Sequence, residues 1–368
     1  MINVGIIGCG DVATHSYLPG LKALGDHAKV VAVFDIVDWR VDNAKEFHPD
    51  ATGYTDYDAF LAHDADGERM DLVFNLTPAP LHREITAKAL EAGYNVYSEK
   101  PIASTVGDAD ELVQMADEKG LQFFCAPAMM VTARFMWLKE LIGSGEIGRA
   151  YFIKSHHAGM GPASWRTYSG DPRVFYTPKV GPLIDLGVYQ LHAMTGLFGP
   201  AKRISAYGGI MNKQRTLLQP SMFGERINVE APDLYSINLD FGNDTYAHLY
   251  NSFATPASKA PMFEVYGEMG AVSIGAQQWY DGNGTTDLYR RDESESGESE
   301  GWQNDVAVPN PLPTSDILGS GILHALDVLE NGTTNVLTAA HATHVLEIMN
   351  AAGTSLETGE SIEIESTF

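Results

Sequence analysis

Cysteine is nearly absent: Cys9 and Cys125 are the only two in 368 residues. Neither sits in a metal-type or redox-type spacing, so both are read as free thiols and no structural metal is assigned. Histidine is more plentiful, with 12 copies, but none forms an HExxH pair, and the adjacent His156 and His157 have no acidic ligand nearby. Long apolar runs are also missing. None approaches the roughly 18 residues of a membrane span, and strand-like sequence begins at Ile2, so the chain is read as cytoplasmic, with no membrane span and no signal peptide. Positive charge is scarce, with 24 Lys and Arg against 48 Asp and Glu and a net charge of -24. Nucleic acid and anionic membrane surfaces are therefore excluded as partners, and a neutral or cationic ligand is expected. The acidic run at residues 292–300 (DESESGESE) reads as an exposed, solvated loop.

What is present is organised in two parts. The length exceeds what one hydrophobic core supports, and a hydrophobic content of 44% is ample for two. Up to about residue 126, short β-rich runs (4–7, 30–34, 72–76, 95–97, 122–124) alternate with helical periodicity such as 81–92 and 108–119, which predicts a doubly wound parallel sheet. After Pro127 the pattern changes. A helix over 132–142 is followed by strand-like segments at 151–155, 203–207, 235–241, 246–252 and 262–266, which read as a largely antiparallel sheet. Helical sequence at 339–352 and a segment at 361–365 close the chain. The expected domains are thus 1–126, binding a dinucleotide, and 127–368, binding the substrate and carrying the oligomer interface.

The first βα junction carries chemistry. Gly8-Cys9-Gly10-Asp11-Val12-Ala13 is a G-x-G-x-x-A turn between a strand and a helix, where Gly8 and Gly10 allow close approach to a pyrophosphate held at the helix N-terminus by Asp11 and Val12. Asp35 ends the second strand, where a carboxylate accepts hydrogen bonds from the adenosine ribose. It repels a 2′-phosphate, and no cation follows at Ile36 or Val37, so NAD is favoured over NADP. Thr77-Pro78, Glu99-Lys100-Pro101 and Ala126-Pro127 follow later strands and should face the same crevice, with His82 opening the helix after Thr77.

Taken in order, G-x-G-x-x-A, Thr77-Pro78 with His82, Glu99-Lys100-Pro101, Trp165-Arg166 and the run from Gly181 to Tyr189 (GPLIDLGVY) resemble the glucose-fructose oxidoreductase, inositol dehydrogenase and MocA (Gfo/Idh/MocA) family over nearly the whole chain. The resemblance implies a Rossmann domain, a C-terminal α+β domain with a large open sheet, and a site between them. It also implies that Lys100 works with Asp185 and with the residue four positions on. That residue is usually histidine and is Tyr189 here. His192 stands three positions further, where many members have aspartate, and Pro182 interrupts a glycine-rich run. The cofactor set then comprises Gly8, Gly10, Asp11, Val12, Asp35, Thr77, Pro78, His82, Glu99, Lys100, Trp165 and Arg166. A tight turn that aims Lys100 inward makes Lys100-Pro101 a candidate cis peptide.

Oxidising a carbinol needs a hydride acceptor and a base for the hydroxyl proton. Tyr189 is the first candidate base, its ordinary pKa of about 10 lowered by the Lys100 ammonium, which also polarises the substrate oxygen. His192 competes, because imidazole titrates near neutrality. If residues 185–191 form an α-helix, Asp185, Tyr189 and His192 share one face. The expected function is an NAD-dependent sugar, glycoside or cyclitol dehydrogenase, a homodimer or homotetramer joined through the open sheet. The alternatives are a redox-neutral NAD-dependent glycosidase or epimerase and a non-catalytic dinucleotide sensor.

Overall fold

A computed structural model describes residues 1–168, 170–178, 180–275, 284–309 and 316–368. The chain forms two compact units, one of Met1–Thr132, Thr314–Leu346 and Phe368, the other of Ala133–Pro313 and Glu347–Thr367. The C-terminal stretch 314–346 therefore belongs to the first unit, which a single cut at residue 126 does not anticipate.

The first unit is built on six strands, β1 (Ile2–Ile7), β2 (Ala28–Phe34), β3 (Thr52–Tyr54), β4 (Leu72–Asn75), β5 (Asn95–Ser98) and β6 (Phe123–Cys125). Their order is β3-β2-β1-β4-β5-β6, and every pairing is parallel. Val4, Ile6, Ile7, Val31, Val33, Leu72, Phe74 and Val96 are all buried, as continuous apolar strands covered on both faces must be. The helices are α1 (Leu18–Ala23), α2 (Asp38–Phe47), α3 (Tyr57–Leu61), α4 (His82–Glu91) and α5 (Val106–Lys119). The last starts where Thr105 accepts from Asp108 N and stops at Gly120, with φ 64°, a capped start and a left-handed stop. Strand order reverses at β1, so ligands are expected at the carboxyl ends of β1 and β4.

In the second unit follow α6 (Ala133–Ser144), β7 (Ala150–Ala158), α7 (Val188–Phe198), β8 (Arg203–Gly209), the hairpin β9 (Gln214–Thr216) and β10 (Arg226–Asn228), β11 (Leu234–Gly242), β12 (Thr245–Ser252), β13 (Phe263–Gly267), β14 (Gly270–Ile274), β15 (Thr286–Arg290) and β16 (Gly301–Gln303). Returning to the first unit, α8 (Ile317–Asn331) packs on α1. The residues of α9 (Ala339–Thr358) are divided between the units at Leu346, and β17 (Ile362–Glu363) joins the second. Its sheet has nine strands, β16-β15-β14-β13-β7-β12-β11-β8-β17, antiparallel except for the parallel pair β7 and β12. The sheet is thus mostly antiparallel, as expected, but built on a central parallel pair.

No helix is expected at α8 from the sequence, and Gly319, Ser320 and Gly321 give it low intrinsic helix propensity. Packing overrides that weak propensity. A Cβ on Gly321 would stand 2.4 Å from the Tyr97 hydroxyl and 2.8 Å from Ala128, so only glycine permits this close approach. Among the described residues no helix is long and apolar enough to cross a membrane. No group of three His, Cys, Asp or Glu among them could hold a metal ion.

Candidate active site

In the first unit, β1 runs into Gly8, whose φ is 88°. A Cβ there would lie 2.9 Å from the Leu76 backbone, so glycine is required for the ends of β1 and β4 to approach. Gly10 is the opposite case, because a Cβ would meet nothing within 4 Å. That bare backbone adjoins a helical path beginning at Asp11, whose first N–H groups lack intrahelical acceptors. The cradle fits a dinucleotide pyrophosphate. The Asp11 carboxylate turns to His15 at 3.3 Å, so what Asp11 and Val12 present at the loop is backbone.

Asp35 is buried, its Oδ2 accepting from Cys9 N at 2.9 Å and its Oδ1 from Val37 N at 3.0 Å. One carboxylate therefore shapes the glycine turn and ends β2. Burial, then the Asp35 charge, pushes the Cys9 thiol up to about 12, so it stays neutral. A cation does stand beside Asp35, contrary to the reading of Ile36 and Val37 alone. The first turn of α2 brings Arg40 Nη1 to 3.8 Å from Asp35 Oδ2, with Trp39 stacked on its guanidinium at 5.4 Å.

Thr77 is tied down by Asn75, whose Oδ1 accepts from Thr77 Oγ1 at 2.6 Å, and Pro78 leads into the turn before α4. His82 opens α4 with its ring buried. It is 1% exposed, with its nitrogens 2.6 Å from Pro101 O and 2.7 Å from Thr77 O. Burial holds its pKa below the ordinary value while the two carbonyls oppose that shift. The ring thus sits between two turns, its one N–H in the neutral form donating to one of the two carbonyls. Lys100–Pro101 is cis, as expected, and so is Ala126–Pro127, which was not foreseen. Glu99 is largely buried, accepting from Tyr17 Oη at 2.7 Å and from Lys100 N at 3.0 Å.

In the second unit, residues 185–191 are not one α-helix. Leu183–Gly187 is a π-helical turn closed by Val188 N on Leu183 O, and α7 follows. The wider turn takes Asp185 out of a strict α-helical i, i+4 relation with Tyr189; such turns are frequent at functional sites. Asp185 is half-buried, while Tyr189 and His192 are 3% and 5% exposed. His192 Nδ1 lies 2.9 Å from Val188 O, so Nδ1 carries the proton and Nε2 is the basic nitrogen. Trp165 packs against Tyr168 and Phe175, and its carbonyl accepts from Gln219 at 2.9 Å. Arg166 lies exposed in the same turn.

Two features near Asp185 have no signal in the sequence. Arg215 and Asp233 form an ion pair at 2.8 Å, 5% and 1% exposed, and Arg215 lies over the Tyr176 ring at 5.8 Å. Burial raises the Tyr176 pKa, the Ala163 N–H donated to its hydroxyl and then Arg215 oppose that, and the charges of Asp233 and Asp185 add to it. The two histidines of β7 do alternate as expected. His156 stacks on Tyr250 at 5.0 Å, whereas His157 faces α7, with Gln190 Nε2 3.4 Å from its Nδ1.

Comparison with known proteins gives the class. Residues 2–126 match the oxidoreductase family, NAD-binding Rossmann fold model, and 135–273 match the Gfo/Idh/MocA C-terminal domain. The chain belongs to the Gfo/Idh/MocA family of NAD(P)-binding oxidoreductases. It is 26% identical to scyllo-inositol 2-dehydrogenase (NADP(+)) of Bacillus subtilis over 270 residues, 73% of this chain and 67% of that one. It is 31% identical to dTDP-3,4-didehydro-2,6-dideoxy-alpha-D-glucose 3-reductase of Actinomadura kijaniata over 218 residues, 58% of this chain and 60% of that one. The match thus spans well under the full length of these curated relatives. Among solved structures, aldose-aldose oxidoreductase from Caulobacter crescentus complexed with glycerol superposes with a TM-score of 0.79, covering 99% of both chains at 19% identity.

Proposed function

We propose that this chain is a dehydrogenase that oxidises a secondary hydroxyl of a sugar, sugar derivative or cyclitol with NAD as hydride acceptor. The observation that carries the reading is the set of Gly8, Gly10, buried Asp35 and the cis turn of Lys100, all at the carboxyl ends of one parallel sheet. When bound, NAD supplies the hydride-accepting nicotinamide. Backbone at Gly8, Gly10, Asp11 and Val12 holds the pyrophosphate, and Asp35 accepts from the ribose. Thr77, Pro78, Glu99, Trp165 and Arg166 are further candidate contacts. Lys100 polarises the substrate oxygen, Tyr189 takes its proton with Asp185 beside it in sequence, and His192 is the competing base. In this reading residues 1–126 bind the dinucleotide and 127–368 bind substrate.

The relatives described as a cyclitol dehydrogenase and a nucleotide-sugar reductase support this substrate class. The test is absorbance at the NADH band across a panel of sugars, glycosides and inositols. Steady accumulation of NADH with at least one is expected. Turnover of a glycoside without NADH accumulation would replace this reading with the redox-neutral one.

We further propose a homodimer or homotetramer through the sheet face away from α7. That face carries Phe152, Tyr246, Tyr250 and Tyr266, with Lys154 paired to Glu264 at 3.1 Å and Arg203 to Asp240 at 2.6 Å, and with Asp287 and Glu363 on the same face. On a chain of net charge -24, an aromatic face where two of the carboxylates are paired with cations is where a second copy buries most apolar surface. A monomer in light scattering at micromolar concentration would refute this.

A further inference from the structure

We propose that Tyr17 is a positioning residue for Lys100, linking the glycine-rich dinucleotide loop to the lysine turn; the proposal rests on the role of Lys100 given above. Tyr17 ends a second π-helical turn, Ala13–Tyr17, which opens directly after the loop. The loop and turn are coupled through Gly10 O, which accepts from Thr14 N at 3.0 Å and from Thr14 Oγ1 at 2.9 Å. At the other end of the turn the Tyr17 ring is fully buried. Phe74 of β4 and Tyr97 of β5 hold it, at centroid distances of 5.7 and 6.0 Å. Its hydroxyl donates to Glu99 Oε1 at 2.7 Å, and Glu99 Oε2 accepts from Lys100 N at 3.0 Å.

The chain of contacts runs from the loop, through one hydroxyl and one carboxylate, to the backbone of the residue whose ammonium acts on substrate. Burial and the neighbouring Glu99 charge push the Tyr17 pKa well above its ordinary value. The hydroxyl is therefore a permanent donor. On its other side the lysine turn is held by His82 at Pro101 O, so Lys100 is anchored from both flanks. Only the Tyr17 flank originates in the dinucleotide loop. A shift of that loop on loading the cofactor is transmitted to Glu99, and through it to Lys100, by rigid and buried groups.

The test is Tyr17→Phe, with Lys100→Met and the double variant, assayed with NAD and the substrate found in the screen. Tyr17→Phe removes one hydroxyl and keeps the ring packing. kcat should fall about tenfold, since small displacements of a catalytic group are costly, with KM for NAD and substrate kept within about twofold. In the Lys100→Met background the Tyr17→Phe loss should vanish, because both changes act through one group. A folded Tyr17→Phe enzyme with kcat within about twofold of wild type, or with a loss that simply multiplies that of Lys100→Met, overturns the proposal. If Tyr17→Phe does not fold, Glu99→Gln, itself at a candidate cofactor contact, reads the same link at saturating NAD through kcat and its loss in the Lys100→Met background, and a loss that multiplies that of Lys100→Met overturns the proposal. Harmless Lys100→Met would overturn the site reading and this proposal together; damaging Lys100→Met with harmless Tyr17→Phe sinks this proposal alone.

Discussion

Two π-helical turns, Ala13–Tyr17 in the first unit and Leu183–Gly187 in the second, each adjoin functional candidates and lead into a helix, yet their surroundings differ. The first is fastened by fixed contacts: Asp35 on Cys9 N, Tyr17 on Glu99, and a buried His82 set between two carbonyls. The second lies among ionisable side chains: Asp185, Tyr176, whose pKa burial raises, and the buried Arg215–Asp233 pair, with Tyr189 and His192 on the following helix. A rigid frame suits holding a dinucleotide of constant shape. Ionisable neighbours suit proton transfer.

The sharpest test of that division is kinetic. Lys100→Met should lower kcat by about 100-fold to 10,000-fold, the range for loss of acid/base assistance, with NAD affinity unchanged by fluorescence titration. Tyr189→Phe should behave alike. If His192 Nε2 is the base, the loss moves to His192→Asn. A Tyr189→Phe enzyme impaired in NAD binding rather than in turnover would break the division between the clusters.

A smaller effect is expected at the cofactor. Because Arg40 already stands 3.8 Å from Asp35 Oδ2, Asp35→Ser alone should free a guanidinium for a 2′-phosphate, and no added arginine is needed. The ratio of kcat/KM for NADP to that for NAD should rise at least about tenfold, roughly 1.4 kcal/mol of differential binding. An unchanged ratio would show that Arg40 does not reach the phosphate.

These expectations separate what the sequence reveals from what it hides. The glycine turn, Asp35 and the lysine turn are legible because local backbone chemistry selects their residues: Gly8 for its positive φ, proline for the cis bond. Five of the six parallel strands are legible as continuous apolar runs; β3, the short Thr52-Gly53-Tyr54, carries no such run and is not expected from the sequence. Arg40 and Tyr17 are hidden because their roles arise from where a turn aims a side chain, five residues beyond Asp35 and 82 before Glu99. The π turn at Asp185 reads as ordinary helix, since no residue pattern distinguishes the two. Arg215 and Asp233 meet only in the folded chain, and α8 is concealed by glycines that tight packing requires.

Two glycines of the same loop offer a third contrast. Gly8→Ala forces a left-handed φ on a Cβ that meets Leu76 backbone at 2.9 Å. It should cost about 2–4 kcal/mol in denaturant unfolding. Gly10→Ala meets nothing within 4 Å and should leave stability within about 0.5 kcal/mol while weakening NAD binding about tenfold. Equal stability losses in both would mean that the bare face at Gly10 is not a ligand cradle.

The smallest effect compares histidines of the two units as pH falls. His82 in the first, and His156 and His248 in the second, have pKa values held below the ordinary 6.5, in each case mainly by burial. Lys154 adds to the lowering at His156 and His248, and His248 adds to it at His156. All three are neutral in the folded state at pH values where the unfolded chain already takes up protons. The unfolded state therefore binds more protons as pH drops through about 6.5, and stability falls until the folded-state pKa values are passed, where the decline levels off. His248→Gln should flatten the melting profile between about pH 7 and 5, and His82→Gln should flatten it too but also lower activity, because it unfastens Thr77 from Pro101. A wild-type melting temperature that rises as pH falls through this window would mean that these histidines gain, rather than lose, charge stabilisation on folding.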